Sequence, residues 1–334
     1  MKNPISSMKI QLLATCLLAS LTSLASCAYA DGTTSFSFAT LQQARAILTT
    51  RDDFVQGLSP FDRSARLKTS REVAEPAYLK FVSENAQNWS DKEKNLVLAA
   101  LRDLQPRLDA LSLPLPKPVV LIKTSGKEEG GAAYTRGNAI ILTGADLSEE
   151  KKATLPRLIS HELFHVLSRQ NPALREKLYG VIGFQPCGEL AFPAKLKPIK
   201  ITNPDAPRND YCIQVKTGNT TSWAIPILYA TAPAYDTAKG GEFFDYLNFQ
   251  LLLVEKGNAT TAAQPLSDEN GPRLVEVKDV TGFFEQIGKN TGYIIHPEEI
   301  AADNFAMLVL QDVKPASPDI IAKMQEILDA AKVH

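Results

Sequence analysis

Residues 139–170 read AIILTGADLSEEKKATLPRLISHELFHVLSRQ, and a change of apolar period inside this stretch decides the fold. Ala139-Ile140-Ile141-Leu142 is an unbroken apolar run, as expected of a buried strand. From Leu155 onward the apolar positions Leu155, Ile159, Leu163 and Val166 recur at helical spacing. Pro156 cannot sit deep in a helix, so Thr154 reads as the N-cap with the proline in the first turn, and the helix ends before Asn171-Pro172. Strand and helix in succession, inside a chain that also carries long helical runs, predict an α+β class with the helix beside a small sheet.

Within that helix lies His161-Glu162-Leu163-Phe164-His165. Four residues advance a helix by one turn plus about 40 degrees, so both imidazoles leave the same face and can meet one cation. Zn²⁺ suits them, because it takes nitrogen ligands and a catalytic site keeps a position for water. Glu162, between them, is placed to act as general base. The chain holds only 4 histidines, and two stand here.

A third ligand must come from elsewhere. The extension in which a glycine and a third histidine follow is absent, since Ser168 and Asn171 occupy those positions. The better candidate is His296-Pro297-Glu298-Glu299-Ile300-Ala301-Ala302-Asp303, where the proline starts a helix and Glu299 and Asp303, four apart, share a face. One carboxylate can ligate metal while the other accepts a hydrogen bond from a ligating imidazole. The pairing of an HExxH helix with a downstream helical ExxxD resembles the gluzincin group of zinc metallopeptidases, which includes the thermolysin-like enzymes. That resemblance implies a zincin-like catalytic region, with His161, His165 and Glu299 as zinc ligands, Glu162 as base and Asp303 as the partner of His161. It covers two short helices. The spacing, 299 minus 165 or 134 residues, departs from thermolysin and implies a large insertion beside the cleft; the exopeptidase signature of the aminopeptidase branch is absent. Glu298 is the rival third ligand, but it lies about 100 degrees round the helix and has no acid four residues on. Tyr293 and His296 are candidates to stabilise an oxyanion; Tyr293 can equally be a packed aromatic, and His296 a ligand or an N-cap.

Outward from these motifs, Phe38 to Leu113 reads as mostly helical, with Ser90 and Glu93 forming a capping box at the start of the longest helix. The proline run at residues 113–118 marks a boundary, dividing a helical region (31–115) from a catalytic region (116–334) that carries a strand-rich insertion at about 183–290. Within the insertion a helix is expected from Phe243 to Leu253, and two helices close the chain at roughly 297–312 and 317–332. The edge of the small sheet can pair with an extended peptide. Asn203-Pro204-Asp205 reads as a turn, and Glu128-Glu129 and Asp52-Asp53 as solvated loop or helix-end residues.

Residues 1–30 carry Lys2 and Lys9 and then no charge from Ile10 to Ala30, the pattern of an export signal. Two cleavage readings stand: a lipoprotein box at Leu24-Ala25-Ser26-Cys27, which would lipidate Cys27 and tether the chain to a membrane, and an Ala28-Tyr29-Ala30 site. The protein is therefore expected to be periplasmic or secreted. Without that segment 34 basic and 37 acidic side chains remain, a net charge of 34 minus 37, or -3, which gives nucleic acid no basic footprint to hold. Cys187 and Cys212 are the remaining cysteines, expected to form a disulfide in an oxidising compartment. The readings that follow are an exported zinc peptidase acting on peptides or proteins, a zinc-bearing envelope protein without turnover, and a zinc amidase acting on a cell-wall crosslink.

Overall fold

The computed structural model describes residues 28–30 and 34–332; apart from Ala28–Ala30, the expected signal segment, with Cys27, lies outside them. The chain is α+β. Its first sheet contains β1 (Ala28–Ala30), β2 (Ser35–Phe38), β3 (Ala86–Gln87), β4 (Val119–Thr124), β5 (Tyr134–Arg136) and β6 (Ala139–Thr143), in the order β1-β2-β4-β6-β5 with β3 beside β4. β2, β4 and β6 are parallel, while β5 runs antiparallel to β6. The run Ala139–Thr143 is thus interior, between β4 and β5, and the edge next to the motif helix is β5.

All five residues of β6 are buried. The period of two sends Ile140 and Leu142 to one face and Ala139 and Ile141 to the other. On the second face pack α1 (Leu41–Leu48), α2 (Asp53–Gly57) and α4 (Glu75–Asn85), through Leu48, Phe54, Tyr78 and Val82. Between α2 and α4 lies α3 (Pro60–Arg66). The first face takes α5 (Asp91–Leu111), which opens on the Ser90–Glu93 capping box, and α6 (Leu155–Gln170), which carries the HExxH motif. Sheet and core both cross the proline run: β2 pairs with β4, and the leucines of α5 share a cluster with those of α6.

Thr154 stands at the N-cap of α6 with Pro156 in the first turn, but its hydroxyl donates to the Lys151 carbonyl instead of accepting from the helix. α7 (Pro172–Val181) follows directly. After the insertion come α8 (Phe283–Ile287), α9 (Pro297–Leu310) and α10 (Pro318–Asp329). α9 lies against α6, with Ile300, Ala301 and Phe305 in the core that holds Leu163 and Phe164. No helix among the described residues is long and apolar enough to cross a membrane.

The insertion is an antiparallel meander of β7 (Gln185–Pro186), β8 (Tyr211–Thr217), β9 (Thr220–Ala230) and β10 (Leu247–Glu255). Where a helix is expected over Phe243–Leu253, a single 3-10 turn, Phe243–Tyr246, leads into β10. Pairing along β9 overrides helical propensity: Leu251 and Leu253 face one cluster while Leu252 and Val254 face another, the period of a strand. Cys187 and Cys212 lie in the second of these clusters, both buried, as free thiols where a disulfide was expected.

One buried ionic network ties the insertion to the N-terminal helices. Arg66, fully buried on α3, donates from Nη1 to Asp62 at 2.6 Å and from Nε and Nη2 to Glu129 at 2.9 Å each. Its Nη2 also donates to the Thr202 carbonyl at 3.1 Å, while the Thr202 N–H and hydroxyl donate to Asp62. Glu128 and Glu129 are accordingly interior and not solvated. Asp52 caps α2 and accepts from buried Arg136 at 2.7 Å. Replacing Arg66 strands two buried carboxylates, and removing one member of such a network costs about 3–5 kcal/mol. Arg66→Ala should therefore lower the unfolding free energy by about that amount in a denaturant titration, with a loss under about 1 kcal/mol contradicting the network's structural weight.

Candidate metal centre and cleft

α6 and α9 cross so that the two sequence motifs face each other. His161 Nε2 lies 3.1 Å from Glu299 Oε2, and His165 Nε2 lies 3.6 Å from the same oxygen. Donor atoms about 2.0–2.1 Å from one ion at tetrahedral angles are about 3.4 Å apart, so these separations match a shared cation. His161, His165 and Glu299 form a group that could hold a metal ion. The imidazoles stand edge to face, with centroids 4.8 Å apart.

Each imidazole is aimed from behind. His161 Nδ1 is 3.0 Å from Asp303 Oδ1, and the other oxygen of Asp303 accepts from the Thr291 hydroxyl. His165 Nδ1 is 3.0 Å from Glu298 Oε1; Ser168 and Tyr179 donate their hydroxyls to the same carboxylate. Adjacent residues at the start of α9 thus divide the work, Glu299 facing both Nε2 atoms and Glu298 holding the Nδ1 of His165. Glu298 is a positioning residue, not the rival ligand that the sequence offered.

The electrostatics follow from this packing. Burial opposes charge at His161, but Asp303 and Glu299 hold its imidazole charged well above the usual histidine range. Burial likewise opposes charge at His165, while Asp205, Glu299 and Glu298 push it up to about 9. Against the cost of burial, the histidines keep Glu299 low, and His165 does the same for Glu298. Asp303 is held low by His161 and Thr291 despite its burial. Glu162 behaves oppositely: burial, then the like charge of Asp205, raises it to about 8. Its Oε2 is buried without a hydrogen-bond partner, as is His165 Nε2. An orphaned imidazole nitrogen, a second one beside it and a carboxylate oxygen are the donor set a divalent ion satisfies, and Glu162 remains free next to it.

The segment Asn203-Pro204-Asp205 enters this site and is no simple turn. Asn203 Nδ2 donates to Glu299 Oε1 at 2.5 Å, while its Oδ1 accepts from the Asp205 N–H. Asp205 Oδ1 accepts from the Thr135 N–H and hydroxyl, which brings its carboxylate into a second metal-capable group with Glu162 and His165. Arg169, four residues past His165, donates to the carbonyls of Pro204 and Asp205 and to the Thr135 hydroxyl, clamping the segment to α6 and β5. A sequence signal for Ser168 existed, since it lies three residues past His165 and so on its face. None existed for Asn203, Asp205 or Tyr179, whose places depend on tertiary packing.

His296 is the N-cap of α9. Its Nδ1 accepts from the Glu298 N–H at 3.1 Å and its Nε2 faces the Arg208 carbonyl at 3.3 Å, so both nitrogens are engaged away from the metal group. Burial lowers its pKa, in keeping with a neutral ring. The structure therefore gives His296 a capping role in place of the catalytic one. Tyr293 does reach the cleft, with its ring 6.4 Å from that of His161 and 43 % of its surface exposed. Partial burial and the carboxylate of Glu299 raise its pKa, keeping the phenol a proton donor.

In front of the centre opens a cleft of about 470 Å³, reached by Ala132, Ala133, Arg157, Glu162, Tyr293 and Asp303. A smaller apolar recess of about 60 Å³ adjoins it, walled by Leu228, Phe243, Phe244, Tyr293 and Ile295. The Thr135 N–H points away from β6, to Asp205, and Ala133, just before β5, lines the cleft. No family model, curated protein or solved structure matches this chain.

If both imidazoles are aimed by carboxylates of equal weight, Glu298→Gln and Asp303→Asn should each weaken divalent metal binding by about 10–100-fold. Competition titration of zinc against a chromogenic chelator measures this. Loss in Asp303→Asn alone would deny Glu298 its positioning role.

Proposed function

We propose that the chain is an exported zinc-dependent peptidase with a zincin-like catalytic region, which hydrolyses peptide bonds with Glu162 as general base. The observation that carries this reading is the convergence of both Nε2 atoms and Glu299 beside the unpartnered carboxylate oxygen of Glu162. A closed structural metal site needs no free base, so an idle buried carboxylate at that position favours turnover over simple metal storage. The antiparallel edge strand next to α6 adds support, because an extended substrate can pair along Ala133 and lie across the cleft. Export rests on the uncharged N-terminal stretch alone.

His161, His165 and Glu299 would hold the zinc ion, which supplies Lewis acidity toward water and the scissile carbonyl. Glu298 and Asp303 keep the two Nε2 lone pairs turned toward it. Glu162 accepts a proton from the attacking water at Oε2 and delivers it to the nitrogen of the departing amine. The Tyr293 phenol donates to the oxygen that gains charge as the carbonyl is attacked. Asn203 fixes the carboxylate plane of Glu299 through its second oxygen. Tyr293, Ala132 and Ala133 border both the cleft and the apolar recess, so a substrate side chain can enter the recess while its backbone runs past Glu162.

Purified protein supplied with zinc should bind about one ion per chain. Glu162→Gln should keep that ion and lose peptide hydrolysis by about 10²–10⁴-fold, while Tyr293→Phe should lower kcat by up to about 10²-fold with little change in KM. Failure of the wild type to take up zinc, or undiminished hydrolysis by Glu162→Gln, would overturn the assignment.

A further inference from the structure

Asp146, Glu162, Asp205, Glu299 and Asp303 line the cleft, and all but Glu162, one oxygen of which is left unpartnered, take hydrogen bonds within the fold. Asp146 accepts from the Thr143 N–H and hydroxyl, Asp205 from Thr135, and Asp303 from His161 and Thr291. Arg157 does not. It lines the same cleft from α6, yet among the described residues it has neither an ion-pair nor a hydrogen-bond partner, and its Nη1 is buried with no acceptor. A buried, unpaired donor costs about 1–3 kcal/mol, more when charged. Lys151, exposed on the same wall, likewise forms no ion pair. Two cations thus face an acid-lined cleft without being neutralised by it.

Position gives this a meaning. Arg157 is four residues before His161, so its Cα lies one turn, about 6 Å, along α6 from that of the histidine. An extended peptide advances about 3.3–3.6 Å per residue, so a group held at Arg157 belongs within about two residues of a bond placed at Glu162. A planar guanidinium with free N–H groups matches a carboxylate in geometry and in charge. We infer that Arg157, assisted by Lys151, is a specificity residue that receives a substrate carboxylate within about two residues of the cleaved bond. The carboxylate is supplied by a free C-terminus or by an acidic side chain. This rests on the peptidase reading and narrows its substrate class to peptides anionic on that side of the bond.

The test uses the zinc-loaded full chain and quenched fluorescent peptides of one core sequence: C-terminal acid, C-terminal amide, and amides with Glu or Gln one and two residues from the bond. The wild type should prefer a carboxylate-bearing member of a pair over its neutral match by at least about tenfold in kcat/KM, expressed in KM. Preference for acid over amide identifies a C-terminus, and preference for Glu over Gln a side chain. In Arg157→Ala the ratio should collapse toward one, and Arg157→Lys should restore part of it, which a merely structural arginine would not do. Equal cleavage of every pair by the wild type would overturn the inference while leaving the peptidase reading intact. If no peptide is cleaved, that reading fails, and calorimetric titration of the same peptides into zinc-loaded Glu162→Gln decides the subsite. Tighter binding of the carboxylate forms, lost in Glu162→Gln/Arg157→Ala, supports it; binding indifferent to Arg157 overturns it.

Discussion

The constraint on which this structure turns is the single carboxylate oxygen of Glu299 that faces two imidazole nitrogens at 3.1 and 3.6 Å. Around it stand four further acids, Glu162 and Glu298 buried and Asp205 and Asp303 partly so. So much negative charge in a low-dielectric interior persists only with positive charge at its centre. Two imidazoles flanked by carboxylates supply that charge as protons. A divalent cation supplies the same charge by displacing one proton from each ring, so exchanging protons for metal leaves the net charge of the cluster unchanged. Surroundings built for one state therefore suit the other, and the carboxylates behind each Nδ1 keep the rings in place through the exchange.

This also explains why Glu162 stands apart. Every other acid of the cluster accepts a hydrogen bond from a named side chain, whereas one Glu162 oxygen accepts none. Burial and the neighbouring charge of Asp205 raise its proton affinity. A group that the fold leaves unsatisfied, beside groups that it satisfies twice over, is where proton transfer costs least reorganisation.

What could be read from the sequence followed local periodicity. His161, His165, Glu299 and Asp303 were legible because helical spacing alone places each pair on one face. Glu298 was misjudged for the same reason: one ion and one helix face leave no place for an adjacent residue, and only the crossing of α6 with α9 shows that it serves the second histidine. Asn203 and Asp205 could not be found by any period, since they come from an irregular segment between strands. Ala139–Thr143 was legible as a strand but not as an interior one, because strand order is set by pairings distant in sequence. In β10 the apolar run Leu251 to Val254 satisfies helix and strand patterns alike, and pairing with β9 decides between them.

The proline run reads as a divide between a helical region and the residues of the site, yet the network of Arg66 joins the two. Asp62 and Arg66 hold both backbone groups of Thr202, and the next residue donates to Glu299. Two residues further on, Asp205 stands beside Glu162 and His165. An ion pair on α3 is thus linked to the candidate metal site through one short stretch of backbone, in which every step is a hydrogen bond or a peptide link. The segment is clamped from its other side by Arg169 of α6. The irregular loop gains the rigidity of the elements at its two ends, and the carboxylate cluster can then draw members from a loop without losing the precision of a helix.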